Sequence, residues 1–109
     1  MSRSTPHAKK MYYTPGITET LETVGNQIRL ARMRRKYTIN MIAERAGVSR
    51  QTVWKVEKGD PAVAFGIYAK VLQAIGLRGD LLLIAKDDEL GRLLQDAELE
   101  RKYNGHKKI

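Results

Sequence analysis

Three polar side chains that are able to recognise DNA bases, Arg50, Gln51 and Lys55, stand close together along the chain. Arginine can donate two hydrogen bonds to O6 and N7 of guanine, and glutamine can bond N6 and N7 of adenine. On a helix of about 3.6 residues per turn, Gln51 and Lys55 lie roughly opposite Val53 and Val56, and Arg50 lies in the first turn. The spacing therefore predicts a helix with a base-reading side and a core-facing side.

A second set of side chains suits the phosphate oxygens, whose contacts fix the register of a protein on DNA without reading its sequence. This set consists of Thr38, Ser49, Thr52 and Lys58, with Trp54 added from the flank of the same helix. Two interpretations of the tryptophan stay open. It meets DNA, at thymine methyls or the sugar edge, or it packs on neighbouring side chains.

A pair of short helices joined by a tight turn must position these residues. The apolar spacing predicts helices over residues 39–46 and 50–58, with Thr38 and Ser49 as N-caps that accept orphan backbone N–H groups. Gly47 occupies the turn, where a positive φ is expected and glycine adopts it without strain. In a helix-turn-helix of this kind, the second helix enters the major groove of DNA.

Two more helices are predicted around this pair, over residues 19–36 and 64–75, because apolar residues recur there at helical spacing. The fold class is therefore all-α, with a helix-turn-helix domain over residues 18–78. Residues 1–17 are polar and basic without periodicity, and indicate a flexible arm. That arm is either a plain disordered terminus or a segment that touches phosphates or a minor groove.

The region after the fourth helix changes character. Residues 80–86 form a short apolar run between turn signals, which favours a strand over a helix. A lone strand must find a partner for its backbone, so we expect it to pair with a second copy across a two-fold axis. Residues 79–100 would thus hold a dimerisation strand and an acidic tail helix, which either covers the protein's own core or binds a partner. The dimer contacts would come from Leu81, Leu82, Leu83 and Ile84.

The charge of the chain points to a polyanionic partner. There are 20 basic and 12 acidic residues, and the net charge is +8. Nucleic acid or an anionic membrane surface would fit such a balance. The distribution is uneven: residues 1–86 are basic, residues 87–100 are acidic, and residues 101–109 form a basic, disordered end. This pattern suggests more than one role.

Several classes of function find no support in the sequence. The chain has no cysteine, which excludes disulfides and cysteine-ligated zinc. Its histidines, His7 and His106, stand in opposite tails without a second ligand at metal spacing. There is no phosphate-binding glycine loop and no nucleophile–base pair, so we expect no enzyme, no cofactor and no metal. No apolar run approaches the roughly 20 residues of a membrane span, and no signal peptide is visible, so the expected location is the cytoplasm, at the nucleoid of a bacterium.

Taken together, the residues resemble the Xre family of phage-repressor and Cro-like helix-turn-helix domains over about residues 24–77. The resemblance implies a lambda-repressor-like domain of five helices, or a similar all-α domain, that binds operator DNA as a dimer. It also implies that Arg32 pairs with Glu57 inside the fold. Many members carry glutamine at the first position of the second helix, where this chain has Ile39. The matching residues are Ile28, Arg29, Ala31, Arg32, Thr38, Ala43, Ala46, Gly47, Val48, Ser49, Thr52, Val53, Glu57 and Gly59.

A fainter resemblance extends to HipB-type antitoxins, in which the apolar run after the domain forms a strand that pairs across the dimer. The segment 88–96 is similar to the tails of small regulators that neighbour HipA-like kinase toxins. This resemblance implies that the tail helix or the outer dimer surface engages a toxin, and that the complex represses its own promoter. The hypotheses are therefore a dimeric repressor, an antitoxin for a HipA-like toxin, a stand-alone Xre-type regulator, and a non-specific nucleic-acid binder.

Overall fold

The computed structural model describes residues 12–107, with side chains as far as residue 102, and every regular element in that range is helical. No strand occurs in that range, so the all-α prediction is confirmed. A 3-10 helix, Arg78–Leu83, follows the fourth α-helix, and a π-helical turn, Arg92–Asp96, separates the last two. The α-helices are α1 (Pro15–Arg34), α2 (Ile39–Ala46), α3 (Arg50–Glu57), α4 (Phe65–Ile75), α5 (Glu89–Gly91) and α6 (Ala97–Lys107).

The predicted C-terminal strand is wrong, and with it the strand pairing assigned to Leu81, Leu82, Leu83 and Ile84. These residues lie in the 3-10 helix and the turn that follows it. Leucine favours helical over extended backbone, and a 3-10 helix is a common short connection after an α-helix. A strand would also have needed a neighbour to satisfy its backbone, and residues 12–107 contain none.

Two compact units divide the chain, Met1–Arg78 and Gly79–Ile109. The first unit contains four α-helices within its described residues, rather than the five of the family pattern. Its first helix begins at Pro15, inside the segment predicted as an arm, because Thr14 accepts a hydrogen bond from the backbone N–H of Ile17 at 3.2 Å and proline suits the first helical turn. Residues 1–11 of the predicted arm lie outside the described residues.

In the second unit, α5 begins within a run of three acidic residues, 87–89. The carboxylate of Asp88 accepts a hydrogen bond from the backbone N–H of Gly91 at 3.2 Å, so this acidic residue acts as a helix cap. The α6 helix continues to Lys107, which extends into the segment 101–109 predicted as a disordered end. No helix within residues 12–107 is both long and apolar enough to cross a membrane.

The core of the first unit is small and draws on all four of its helices. Ala43 and Ala46 let α2 approach its neighbours closely, and four aliphatic side chains are less than 2% exposed: Ile42, Val53, Val56 and Val71. Val48 packs against the same core from the turn. The buried members are Ile28, Ala31, Ile42, Ala43, Ala46, Val53, Val56, Tyr68, Val71 and Ile75.

A close crossing joins α1 to the end of α3. Gly25 is buried there, and a Cβ atom at this position would lie 2.5 Å from the backbone nitrogen of Gly59 and 2.7 Å from the carbonyl oxygen of Val56. Gly59 itself has φ +74°, and a Cβ on it would meet the backbone of Leu21. The two backbones therefore touch where neither residue has a side chain.

The Tyr68 hydroxyl links α4 to the loop after α3. It donates a hydrogen bond to the backbone oxygen of Asp60 at 2.7 Å, and Tyr68 is 8% exposed. Burial, and to a smaller extent the negative charge of Asp60, raises the pKa of Tyr68 above its usual value of 10.0. The folded state thus favours the neutral hydroxyl.

A Tyr68→Phe variant is expected to lose about 1 kcal/mol of unfolding free energy near neutral pH, the net contribution of one hydrogen bond. This deficit should shrink as the pH rises above about 10, because the unfolded state of the unaltered protein gives up the Tyr68 proton before the folded state does. Urea unfolding at about pH 8 and about pH 11 measures the difference. A deficit that stays the same at both values contradicts the environment assigned to this hydroxyl.

Candidate nucleic-acid interface

Two side-chain caps and one glycine fix the start of α3 relative to α2. The Thr38 hydroxyl accepts a hydrogen bond from the backbone N–H of Met41 at 3.1 Å, and the Ser49 hydroxyl accepts one from Thr52 at 3.1 Å. Between the two helices Gly47 takes φ +70°, the left-handed conformation that glycine adopts without a Cβ penalty. The N-cap residues and the turn glycine are therefore set by local chemistry.

A buried ion pair ties the last turn of α3 to α1. The Arg32 guanidinium donates from Nε to Glu57 Oε2 at 2.6 Å and from Nη2 to Oε1 at 3.0 Å. Its Nη1 donates to the backbone oxygen of Tyr37 at 2.9 Å. Arg32 and Glu57 are 9% and 6% exposed, so the pair implied by the resemblance is present and belongs to the interior of the fold.

Opposite this interior, α3 presents one continuous polar side to solvent. The exposed residues follow the spacing i, i+1, i+4, i+5, i+8, which is one face of a helix. Trp54 lies within that face and is 52% exposed, whereas the sequence placed it on the flank. The face consists of Arg50, Gln51, Trp54, Lys55 and Lys58.

The N-terminal ends of α2 and α3 enclose an open depression, and it gathers part of the predicted site. Arg50 and Gln51 line it together with Ser49 and Trp54, whereas Thr38, Thr52, Lys55 and Lys58 are not among its lining residues. From α2 it receives Ile39 and Asn40. Asn40 was missed from the sequence, although a polar residue in the first turn of α2 was a usable signal, since that turn opens beside α3.

Two of the residues predicted to contact phosphates, Ser49 and Thr52, form a hydrogen bond with each other. The hydroxyls of Ser49 and Thr52 are 2.9 Å apart, and either can be the donor. Because each hydroxyl carries one hydrogen, only one O–H of the pair is left to donate to a phosphate oxygen. Ser49 is exposed and Thr52 is partly buried. The pair can therefore make one phosphate contact rather than the two that the sequence suggests.

A second depression lies on the other side of Trp54, between α1 and α3. Lys58 lines it, and the Lys58 ammonium sits 5.2 Å from the centroid of the Trp54 ring. At this distance a cation–π attraction orients both side chains. Asn26 and Arg29 of α1 also line the depression, and they too were missed as candidate contacts. Their exposed spacing of i, i+3 on α1 was the available signal.

These features define a class of protein: a unit with four α-helices among its described residues, in which two helices joined by a tight turn expose the polar side of the second helix. A family model described as a helix-turn-helix domain matches residues 23–83, more than half of the chain. The chain belongs to this helix-turn-helix family, in its Xre/Cro-like branch. Membership indicates a DNA-binding regulator. No curated protein matches the sequence significantly.

Proposed function

We propose that this protein is a sequence-specific repressor that reads operator DNA with α3 and acts at the nucleoid of a bacterial cytoplasm. The observation that carries the proposal is that exposed Arg50 and Gln51 line the same depression as Asn40 of α2. Guanine and adenine edges in the major groove present the acceptors and donors that these side chains bond. The proposed base-reading residues are Arg50, Gln51 and Lys55, and the proposed phosphate contacts are Thr38, Lys58 and one hydroxyl of the Ser49–Thr52 pair.

Replacing Arg50 or Gln51 with alanine should weaken operator binding by about 1–3 kcal/mol and relax discrimination at one base pair in each half-site. Footprinting on DNA upstream of the protein's own gene supplies the operator. Titrations against that operator and its single-base-pair variants then measure the discrimination. If both variants discriminate as well as the unaltered protein, the base-reading assignment is wrong.

Lys58→Ala serves as the matched control, because Lys58 lies on the same face of α3 at its far end. Loss of a phosphate contact should weaken binding to all sequences equally. It should also reduce the slope of the logarithm of the binding constant against the logarithm of the salt concentration by about one unit. A specificity change in this variant would move Lys58 into the base-reading group. Equal affinity of the unaltered protein for upstream and random DNA would instead favour a non-specific nucleic-acid binder.

The proposal includes a homodimer, because two copies of α3 could then enter successive major grooves about 34 Å apart on a near-palindromic operator. Large aliphatic side chains are exposed in the second unit, and a surface of this kind typically binds protein. The same unit passes from acidic residues 87–100 to basic residues 101–109, so antiparallel pairing of two copies sets opposite charges together. The exposed side chains, 59–78% accessible, include Leu82, Leu83, Ile84, Leu90, Leu93, Leu94 and Leu99.

A second candidate function is that of an antitoxin for a HipA-like kinase toxin, which the same exposed aliphatic surface favours. Co-expression with the neighbouring reading frame, followed by purification and sedimentation, distinguishes an antitoxin from a stand-alone regulator. A homodimer that carries no other protein supports the stand-alone Xre-type regulator. A kinase-like protein that co-purifies supports the antitoxin. A monomer at every concentration, with no partner bound, contradicts both assemblies.

A further inference from the structure

An apolar pair, Ile39 and Trp54, sits in the middle of the otherwise polar candidate interface. Both residues line both of the depressions beside α3. They therefore form a shared ledge between the base-reading residues on one side and the Lys58 side on the other. Ile39 is partly buried and packs against the core, which anchors the ledge to the fold.

Core packing alone does not account for the tryptophan. The apolar residues of α3 that face the interior are Val53 and Val56, each with no exposed surface. Trp54 points to the polar face instead and keeps 52% of its surface exposed. Lys58, which lies over the indole ring, lines only the second depression. The indole is thus still available from the first depression, where Arg50 and Gln51 lie.

The position of the ledge fits one group on DNA. Trp54 is one helical turn beyond Arg50 and Gln51, so it lies about 5 Å further along the axis of α3. With α3 in the major groove, this distance corresponds to the next base pair or two. The only apolar group that base edges present there is the 5-methyl of thymine.

We propose that Ile39 and Trp54 together contact the 5-methyl group of a thymine, one or two base pairs from the base that Gln51 reads. The inference rests on the proposed function, since it requires α3 to lie in the major groove. It assigns the tryptophan to specificity rather than to the sugar–phosphate backbone. It also gives a role to the isoleucine at the first position of α2.

Replacement of thymine by deoxyuridine tests the contact, because it removes the methyl group and leaves every hydrogen-bonding atom of the base in place. The operator is first selected from a pool of random duplexes, and each of its thymines is then replaced in turn. At one position per half-site, the substitution should weaken binding of the unaltered protein about fourfold, the effect of one buried methyl group. Trp54→Ala should bind both duplexes equally.

Three further variants control this experiment. Trp54→Phe keeps an aromatic surface and should retain most of the difference between the two duplexes. Ile39→Gln should reduce the difference, which keeps the test decisive if Trp54→Ala fails to fold by circular dichroism. Phe65→Ala removes an aromatic side chain that is 66% exposed elsewhere, and it should retain the full fourfold ratio.

The possible failures are distinguishable. If the unaltered protein prefers the selected operator but binds every deoxyuridine duplex as well as its parent, the thymine contact is wrong and sequence-specific binding stands. If Trp54→Ala folds and still shows the fourfold ratio, other residues contact the methyl group and the inference is also wrong. If no duplex is preferred over random DNA, the proposed function itself fails.

Discussion

The Glu57→Ala variant is expected to lose about 3–5 kcal/mol of unfolding free energy, enough to leave much of a small domain unfolded. The loss arises mainly because the Arg32 guanidinium stays buried without its partner, rather than because the Glu57 side chain is gone. Arg32 keeps its charge in a site where it is 9% exposed, and two of its N–H groups lose their carboxylate acceptors. Urea unfolding followed by circular dichroism measures the change.

The same pair offers a double-mutant cycle. Glu57→Gln keeps the volume and one acceptor oxygen, so its loss should be smaller than that of Glu57→Ala. A double variant, Arg32→Met with Glu57→Leu, removes both charges and should be more stable than either single variant, because no buried charge is then left alone. Full recovery is not expected, since the backbone oxygen of Tyr37 loses the donor Nη1 of Arg32. If the loss of the double variant equals the sum of the losses of Arg32→Met and Glu57→Leu alone, the two side chains are not coupled.

Gly59→Ala is expected to be the second most damaging change, at about 2–5 kcal/mol of unfolding free energy. A left-handed alanine costs about 1–2 kcal/mol, and Gly59 has φ +74°. A Cβ at this position would also lie 2.7 Å from the backbone nitrogen of Glu22 and closer still to the Leu21 carbonyl. Forcing α1 away from α3 adds about 1–3 kcal/mol. Denaturant unfolding again provides the measurement.

Two other glycines distinguish the backbone cost from the cost of the clash with α1 in this estimate. Gly47 has nearly the same φ, +70°, but a Cβ there would meet nothing within 4 Å, so Gly47→Ala should carry only the left-handed cost. Gly66 lies in the first turn of α4 with open space around a Cβ, and Gly66→Ala should stabilise the protein by up to about 1 kcal/mol. Equal losses for the Gly59 and Gly47 variants would show that the helix crossing tolerates a methyl group.

Local chemistry explains why α2 and α3 were well predicted. The predicted range 39–46 agrees with α2, and the predicted range 50–58 exceeds α3 by one residue. Each start is a hydroxyl cap, at Thr38 and Ser49, and each depends on a hydrogen bond within three residues. Such signals need no tertiary partner, so a single sequence is enough to read them.

The C-terminal region shows the opposite case. An apolar run over residues 80–86 is compatible with a strand, a 3-10 helix or a buried turn, and periodicity does not separate these. The outcome depends on whether a neighbouring strand exists, which is a property of the whole fold. Because none is present in residues 12–107, the backbone satisfies itself locally in the 3-10 helix Arg78–Leu83.

By itself, the sequence determined the all-α class, the two helices and the glycine of the turn, and most of the residues that face away from the core on α3. These follow from period, caps and backbone freedom, which act within a few residues. Only the tertiary structure decided which distant residues share a surface. It brought Asn40 and Ile39 of α2 beside Arg50 and Trp54 of α3, and Gly25 against the end of α3. Those neighbours are set by how closely helices cross, which depends on side-chain volumes across the whole core.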